Sequence, residues 1–363
     1  MLSAEHLLPL YHVRRLAVLR ALPGLGDFLC ATPALRALRT GLPDAHITLI
    51  GLPWLSSLSP RYALWDDLLP FPGAPGLPEV PLNEGRLETF LNAHRGRFDA
   101  ALQLHGSGPQ SNTFVSALHA PFTAGFCPAE QKPPSPHFLP WQEDEHEVTR
   151  WLRLLSHLGI PARGAELGVQ PSTKPNTAVH FPLGPSDIAQ ANALERKHHL
   201  SSYIVLHPGA ASEAKRWPVE RFAAVGREAQ ALGLQVVITG SAGERALAAT
   251  LHRHLPGAVN LCGETDLGTL AALLSGARLL VCNDTGVSHL AAATRTPSVV
   301  LFSETDPARW APLGRARHRA LGGANTAVDV DTVLAVTRTL LLGGDHEHPD
   351  LARPRGVPLL PNA

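Results

Sequence analysis

The chain has 363 residues, of which 44% are hydrophobic and 17% charged, so it carries too much apolar material for a disordered protein and too much length for one ordinary core. Two domains are expected. Lys+Arg and Asp+Glu number 31 each, and a formal net charge of zero speaks against a nucleic-acid binder, which usually shows a basic excess.

The first strand reads at Leu16-Ala17-Val18-Leu19-Arg20. A turn follows at Pro23-Gly24-Leu25-Gly26-Asp27, then a helix from Phe28 to Thr40, stopped by Gly41-Leu42-Pro43. Further strands read at His46 to Ile50 and at Asp99 to Leu104. The Pro-rich stretches Phe71 to Pro81 and Lys132 to Pro140 read as surface loops, because proline removes ladder donors. A helical pattern runs from Glu145 to Gly159 through Val148, Trp151, Leu152, Leu154, Leu155 and Leu158. Pro161 to Pro175 is irregular, and the domain boundary is placed near Pro175: residues 1–175, then 176–343, then a disordered tail at 344–363.

In the second half, strands read at Tyr203 to Leu206, Gln235 to Thr239, Ala258 to Leu261, Arg278 to Cys282 and Ser298 to Phe302. Helices read at Val219 to Leu232 and Leu267 to Leu274, with a final one from Val328 to Leu342. Strand, glycine-containing turn and helix recur in both halves. That alternation predicts an α/β protein of two Rossmann-like domains, with ligands at the carboxyl ends of parallel strands.

Four cysteines, Cys30, Cys127, Cys262 and Cys282, form no CxxC pair, and three of them lie in apolar or secondary-structure runs. They read as buried thiols of a reducing, cytoplasmic compartment. The first residues lack a basic segment leading into a long apolar run, so no secretory leader is expected. No apolar run reaches the roughly 18 residues of a membrane span. The histidines number 19 but are scattered, without HExxH. The nearest approach to a metal motif, Asp345-His346-Glu347-His348, reads as a solvated tail, and no metal site is expected.

Three turns can carry chemistry. At Asn283-Asp284-Thr285-Gly286 an apolar strand runs into a helix beginning Val287-Ser288-His289. Backbone N–H groups of such a helix start make an anion site, and Gly286 allows a phosphate to approach. Asp284 or Thr285 acting as an ordinary helix cap would use the same residues. At His207-Pro208-Gly209-Ala210-Ala211-Ser212 a second turn leads to Lys215-Arg216-Trp217-Pro218. Ser212 and Lys215 offer the hydroxyl and the cation that a diphosphate needs, and a polar loop with a solvated lysine is the alternative. At Gly24-Leu25-Gly26-Asp27 the dinucleotide fingerprint fails, because Leu29 stands where a third glycine belongs. Asp27 reads either as a helix cap or as a carboxylate facing the cleft as a general base. Glu244, after Thr239-Gly240, either accepts from ribose hydroxyls or complements a helix dipole.

Taken together these segments resemble glycosyltransferase family 9, the lipopolysaccharide heptosyltransferase-like enzymes. The carriers are Gly26-Asp27 with Thr32-Pro33-Ala34-Leu35-Arg36-Ala37-Leu38-Arg39, then His207-Pro208-Gly209-Ala210, Lys215-Arg216-Trp217-Pro218, and Asn283-Asp284-Thr285-Gly286-Val287-Ser288-His289. The resemblance spans Arg15 to Leu321 in the family's order. It implies a GT-B fold and an inverting, metal-independent transfer of heptose or a related sugar. The donor it implies is a nucleotide sugar, ADP-linked; the acceptor is a cell-envelope glycan or lipid-linked sugar. Asp27 would be the base. Ser212, Lys215, Glu244, Asp284, Thr285, Gly286, Val287 and His289 would line the donor. Arg20, Gly26 and His105 are the acceptor-side candidates. A lipid-linked acceptor would bring peripheral contact with the inner membrane leaflet. The alternative is a nucleotide-sugar binding protein or a GT-B-type epimerase. A dinucleotide-dependent oxidoreductase is not supported, since neither half has GxGxxG.

Overall fold

The computed structural model describes residues 13–160, 177–324 and 326–343. Two parallel sheets of six strands each organise the chain. The first contains β1 (Arg15–Leu19), β2 (His46–Gly51), β3 (Asp67–Pro70), β4 (Ala100–Gln103), β5 (Phe122–Cys127) and β6 (Phe138–Pro140), in the order β3-β2-β1-β4-β5-β6. The second contains β7 (Tyr203–His207), β8 (Gln235–Ile238), β9 (Val259–Asn260), β10 (Leu279–Asn283), β11 (Ser298–Phe302) and β12 (His318–Gly322), in the order β12-β11-β10-β7-β8-β9. Each sheet therefore repeats one doubly wound order, and each reverses direction between its first and fourth strands. The first half carries the helices α1 (Leu25–Gly41), α2 (Glu84–His94), α3 (Pro109–Ser116) and α4 (Glu147–His157). In the second half lie α5 (Pro185–Lys197), α6 (Val219–Ala231), α7 (Arg245–His254), α8 (Leu267–Gly276), α9 (Gly286–Ala293), α10 (Pro307–Trp310) and α11 (Val330–Leu342).

The central strands are buried along their whole length, as expected of parallel strands covered on both faces. Helix starts are fixed by short polar side chains. Asn83, Asp266, Asp306 and Asp329 each accept a first-turn N–H of the helix that follows. α1 keeps a proline in its interior. Pro33 has no N–H to give to the carbonyl of Leu29, and the Thr32 hydroxyl donates to that carbonyl instead, at 2.7 Å. The adjacent pair Thr32-Pro33 thus retains the helix through the proline.

Several expectations change. α1 begins at Leu25, so Asp27 lies inside the first turn rather than ahead of it. The Pro-rich stretch 132–140 is not all loop, for its end forms the edge strand β6. An edge position tolerates Pro140 because one side of the strand needs no ladder donor. β3, β5 and β12 were not anticipated; β3 is short and has no fully buried residue, and β12 alternates in burial instead of forming an apolar run. The proposed boundary near Pro175, the tail after 343 and its acidic-histidine motif lie outside the described residues.

One apolar cluster joins the halves. It contains Leu16, Phe28, Leu35 and Trp151 of the first half with Val205, Leu280 and Leu290 of the second. Separate clusters cover the outer faces of the two sheets. Arg61 adds a fork to the Asp187 carboxylate on α5, one arm at 2.8 Å, and the Tyr62 hydroxyl donates to the His180 carbonyl. No described helix is long and apolar enough to cross a membrane.

Trp151 sits at the centre of the shared cluster, with no exposed surface, against Phe126 and Trp141 and beneath the Arg20 guanidinium. Trp151→Ala is expected to cost about 3–5 kcal/mol in denaturant unfolding, the usual range for emptying a buried aromatic site. Trp151→Phe should cost distinctly less, and equal losses would mean that the volume of the ring is not what matters there.

Candidate active site

The two direction reversals face each other. α1 leaves the end of β1, α9 leaves the end of β10, and these helices pack together across the halves. Their contact is close because both carry glycine at the crossing. A methyl group on Gly286 would lie 2.9 Å from Leu25 Cβ and 3.0 Å from the Gly26 nitrogen. One on Gly26 would meet the His289 ring at 3.0 Å. The N-termini of two helices, with their open N–H groups, are thereby directed into one region.

Asp27 stands in the first turn of α1 at that region. It is not the helix cap; Gly24 is, and it supplies no side-chain bond. Gly24 makes room for the carboxylate, since a side chain there would run into Asp27 Oδ2. Burial raises the Asp27 pKa above the ordinary aspartate value. Arg20 opposes that rise, Glu147 adds to it, and Arg309 opposes it.

Arg20 follows β1 and is 2% exposed. Its Nη1 donates to the Leu104 carbonyl at 2.7 Å and its Nη2 to the Asp27 carbonyl at 2.5 Å. The acceptor-side candidate Arg20 is thus held beneath Asp27 rather than presented at the surface. Glu147, at the start of α4, lies 3.8 Å from Arg20 Nη2 and accepts from Arg150 Nη1 at 2.9 Å. Arg309, from α10 of the second half, reaches the same carboxylate at 3.4 Å. His146 caps α4 through Nδ1, and its Nε2 lies 2.8 Å from the Ala311 carbonyl across the halves. His105 follows β4. Its Nδ1 accepts the Ala21 N–H and its Nε2 lies 3.3 Å from Glu79 of the first Pro-rich loop. Burial pushes the His105 pKa down to about 4, so its imidazole is neutral near pH 7.

On the second half, Asn283 ties two turns together. Its side chain accepts the Trp217 N–H at 2.9 Å and donates to the Pro208 carbonyl at 2.8 Å. Asp284 does not cap α9. Its Oδ2 accepts from Lys215 Nζ at 2.8 Å and from the Thr305 hydroxyl. Thr285 occupies the cap position without a side-chain bond, leaving the N–H groups of Gly286 and Val287 at the open helix end. Ser212 leads into the short turn Glu213–Lys215. Glu244 turns back on its own loop, accepting from the Ser241 N–H and hydroxyl at 2.7 and 2.8 Å. Its other oxygen lies over Gly209, where any side chain would collide with it. His289 Nδ1 lies 3.5 Å from Cys30 Sγ of α1, and burial lowers its pKa to about 4. All four cysteines are buried and free. Among the described residues no group of three or more His, Cys, Asp or Glu is arranged to hold a metal ion.

The family model described as Glycosyltransferase family 9 (heptosyltransferase) matches residues 90–331, which contain both second-half turns. The chain belongs to glycosyltransferase family 9. It is 28% identical over 314 residues to lipopolysaccharide heptosyltransferase 2 of Escherichia coli (strain K12), covering 80% of this chain and 83% of that one. Its fold is similar to the family 9 glycosyl transferase of Veillonella parvula DSM 2008, with TM-score 0.73, 22% identity and coverage of 91% and 97%. It is also similar to E. coli ADP-heptose lps heptosyltransferase II, with TM-score 0.65, 21% identity and coverage of 91% and 99%. The protein is therefore a glycosyltransferase of GT-B fold.

In this family 9 chain, the expected residues fall into two groups. Gly26, Asp27, Arg20 and His105 gather at the end of β1 and β4. Ser212, Lys215, Asp284, Thr285, Gly286 and Val287 gather at the end of β7 and β10, with Glu244 at the end of β8. His289 bridges the groups. Sequence reading missed Glu147, Arg150, Arg309 and Glu79. The pair Glu147 and Arg150 was detectable: opposite charges three apart, on the side of α4 that carries the buried Trp151. Arg309 lies on the single-turn α10 and Glu79 on a loop, both too short or irregular to show periodicity, and they left no signal.

Gly286→Ala should force α1 and α9 apart, because the neighbouring backbone nitrogen cannot give way as a side chain can. The expected cost is about 1–3 kcal/mol in thermal or denaturant unfolding, as for overpacked sites. A variant as stable as the wild type would mean that the crossing is not tightly closed.

Proposed function

We propose that the protein is an inverting, metal-independent transferase. It moves heptose or a related sugar from an ADP-linked donor to a cell-envelope glycan or lipid-linked sugar acceptor. The name of the E. coli relative and its 80% coverage of this chain support the sugar and the class of acceptor. The observation that carries the mechanism is the position of Asp27: a half-buried carboxylate of raised pKa, at the meeting of two helix N-termini.

In this reading the first half, through residue 175, receives the acceptor, and the second half, residues 176–343, holds the donor. Asp27 takes the proton of the acceptor hydroxyl. The oxygen attacks the anomeric carbon, and the bond to the nucleoside diphosphate breaks with its electron pair leaving on phosphate. A raised pKa makes Asp27 a stronger base than an ordinary aspartate. The leaving charge is met by Lys215, Ser212 and the N–H groups at Gly286 and Val287. Lys215 has three donors, so it can hold Asp284 and still face phosphate. Asp284 and Thr305 then meet sugar hydroxyls, and Glu244 meets the ribose. Gly26, His289 and His105 line the passage between donor and acceptor. Arg20 serves from below Asp27. The acceptor would be met in the cytoplasm, at the inner membrane face when it is lipid-linked.

Asp27→Ala is expected to lower turnover by about 10²–10⁴-fold, the contribution of a general base, with ADP binding unchanged by calorimetry. Unchanged turnover would remove Asp27 from the mechanism. In the wild type, activity requires ionised Asp27. It should therefore be lost as pH falls through a value above that of an ordinary aspartate, and a limb at or below that value would contradict a base of raised pKa. In a thermal-shift series at equal ligand concentrations, ADP should raise the melting temperature more than UDP or GDP, following the linkage of affinity to stability. Equal shifts would leave the base of the donor unselected. Release of nucleoside diphosphate that depends on acceptor would separate a transferase from an epimerase.

A further inference from the structure

Glu147 is 2% exposed, yet three arginines surround its carboxylate. Arg150 is on its own helix, Arg20 follows β1, and Arg309 comes from α10 of the other half. The two oxygens divide these partners. Oε1 lies towards Arg20 at 3.8 Å, whereas Oε2 receives Arg150 at 2.9 Å and Arg309 at 3.4 Å. Arg150 is otherwise committed: its Nη2 donates to the carbonyls of Gln142 and Glu145, and its guanidinium lies 3.6 Å above the Trp141 ring. Arg309 shares the same aromatic wall, at 5.6 Å from Trp141 and 5.0 Å from Trp310. Buried charges of this kind contribute little to net stability, because desolvation offsets attraction. Their geometry is more informative. One chain of contacts runs from Arg309 through Glu147 and Arg20 to the backbone carbonyl of Asp27.

We propose that Glu147 is a positioning residue that makes the placement and charge state of Asp27 depend on closure of the two halves, with Arg309 as the contact that reports closure. This rests on the reading of Asp27 as the base. When the halves are apart, Arg309 leaves and Glu147 keeps only the cations of its own half. Asp27 then faces a less compensated anion and is harder to ionise. When they close, Arg309 neutralises Glu147 and adds its own positive charge, so the base is ready only once the donor half has arrived. The groups that face Asp27 are Arg20, Glu147 and Arg309, with Cys30 on the next turn of α1 and His289 and Asp284 beyond it on the second half. Those that face Glu147 are Arg20, Arg150, Arg309 and His146, with Asp27, Cys30 and His289 also within reach of its charge. Glu143 draws on Arg309 at 3.9 Å and Glu145 is paired with Arg153.

The test compares kcat against pH, at saturating ADP-activated donor, for Arg309→Gln, Arg309→Lys and Glu147→Gln. Arg309→Gln removes a cation that favours ionised Asp27, so the acid limb should move to higher pH. Its kcat should drop about 10–100-fold, the cost of a misplaced catalytic group, while ADP affinity by calorimetry is unchanged. Arg309→Lys should return the limb towards the wild-type position. Glu147→Gln removes an anion and should move the limb the opposite way, to lower pH, with plateau kcat also reduced because Arg20 loses its ion-pair partner. A merely structural role would lower the melting temperature without moving the limbs in opposite directions. Arg309 is partly exposed, so its two variants decide the matter should Glu147→Gln fail to fold. Folded Arg309→Gln with the wild-type limb overturns the coupling. If Asp27→Asn is inactive in the same assay, the base reading survives that failure. Should Asp27→Asn turn over with an unaltered acid limb, the base reading itself falls and the coupling falls with it.

Discussion

The crossing of α1 and α9 at Gly26 and Gly286 sets the rest of the structure. Two helices meet N-terminus to N-terminus, so their positive ends converge, each equivalent to roughly half an elementary charge. That arrangement is unfavourable unless negative groups enter the region. The chain supplies two: Asp27 in the first turn of α1 and Asp284 immediately before α9. An anionic ligand would add to the same compensation. Side chains at the crossing would widen the gap between the two strand-order reversals. The glycines therefore act through distance, and neither has a positive φ that would require glycine for backbone reasons.

Below that crossing lies a second constraint, the desolvation of charge. Arg20 and Arg150 are 2% and 0% exposed, and each has an Nε without a partner among the described residues. What makes their burial tolerable is a combination of main-chain carbonyls, the Glu147 carboxylate and the faces of Trp141 and Trp151. Such a network has few alternative arrangements, because moving any member leaves a buried charge uncompensated. It gives the floor under Asp27 a single geometry, and Arg309 ties that geometry to the second half.

The fold was largely legible in the sequence. Apolar runs such as Leu279–Cys282 and Ser298–Phe302 are fully buried strands, and their alternation with helical periods indicated parallel sheets. β3 and β12 were missed, since strands at a sheet edge bury only part of their residues and lose the continuous apolar signal. At the candidate site, the turns at Asp27, Lys215 and Asn283 were legible because glycine and polar residues interrupt strong elements. Asp284 shows where local reasoning stops. Its position before a helix reads as a cap, yet Lys215 and Thr305, distant in sequence, claim the carboxylate. The same holds for Glu79 and Arg309, whose partners are brought to them only by the tertiary fold.

Two aspartates border the same region, and their surroundings separate what each can do. Asp284 already receives an ammonium and a hydroxyl on one oxygen, which ties it to the Lys215 turn and to Thr305. Asp27 is placed differently. Arg20 donates to its backbone carbonyl and not to its carboxylate, and burial rather than a paired cation dominates its titration. A carboxylate held from behind, with its oxygens unclaimed by a cationic side chain, retains the basicity that proton abstraction needs. Pairs of acids whose environments differ in this way commonly divide the labour of a site. The division fits the proposed mechanism, with Asp284 organising the Lys215 turn and Asp27 as the proposed base. Two residues of one type are thereby given different surroundings by what donates to them, which the linear sequence does not express.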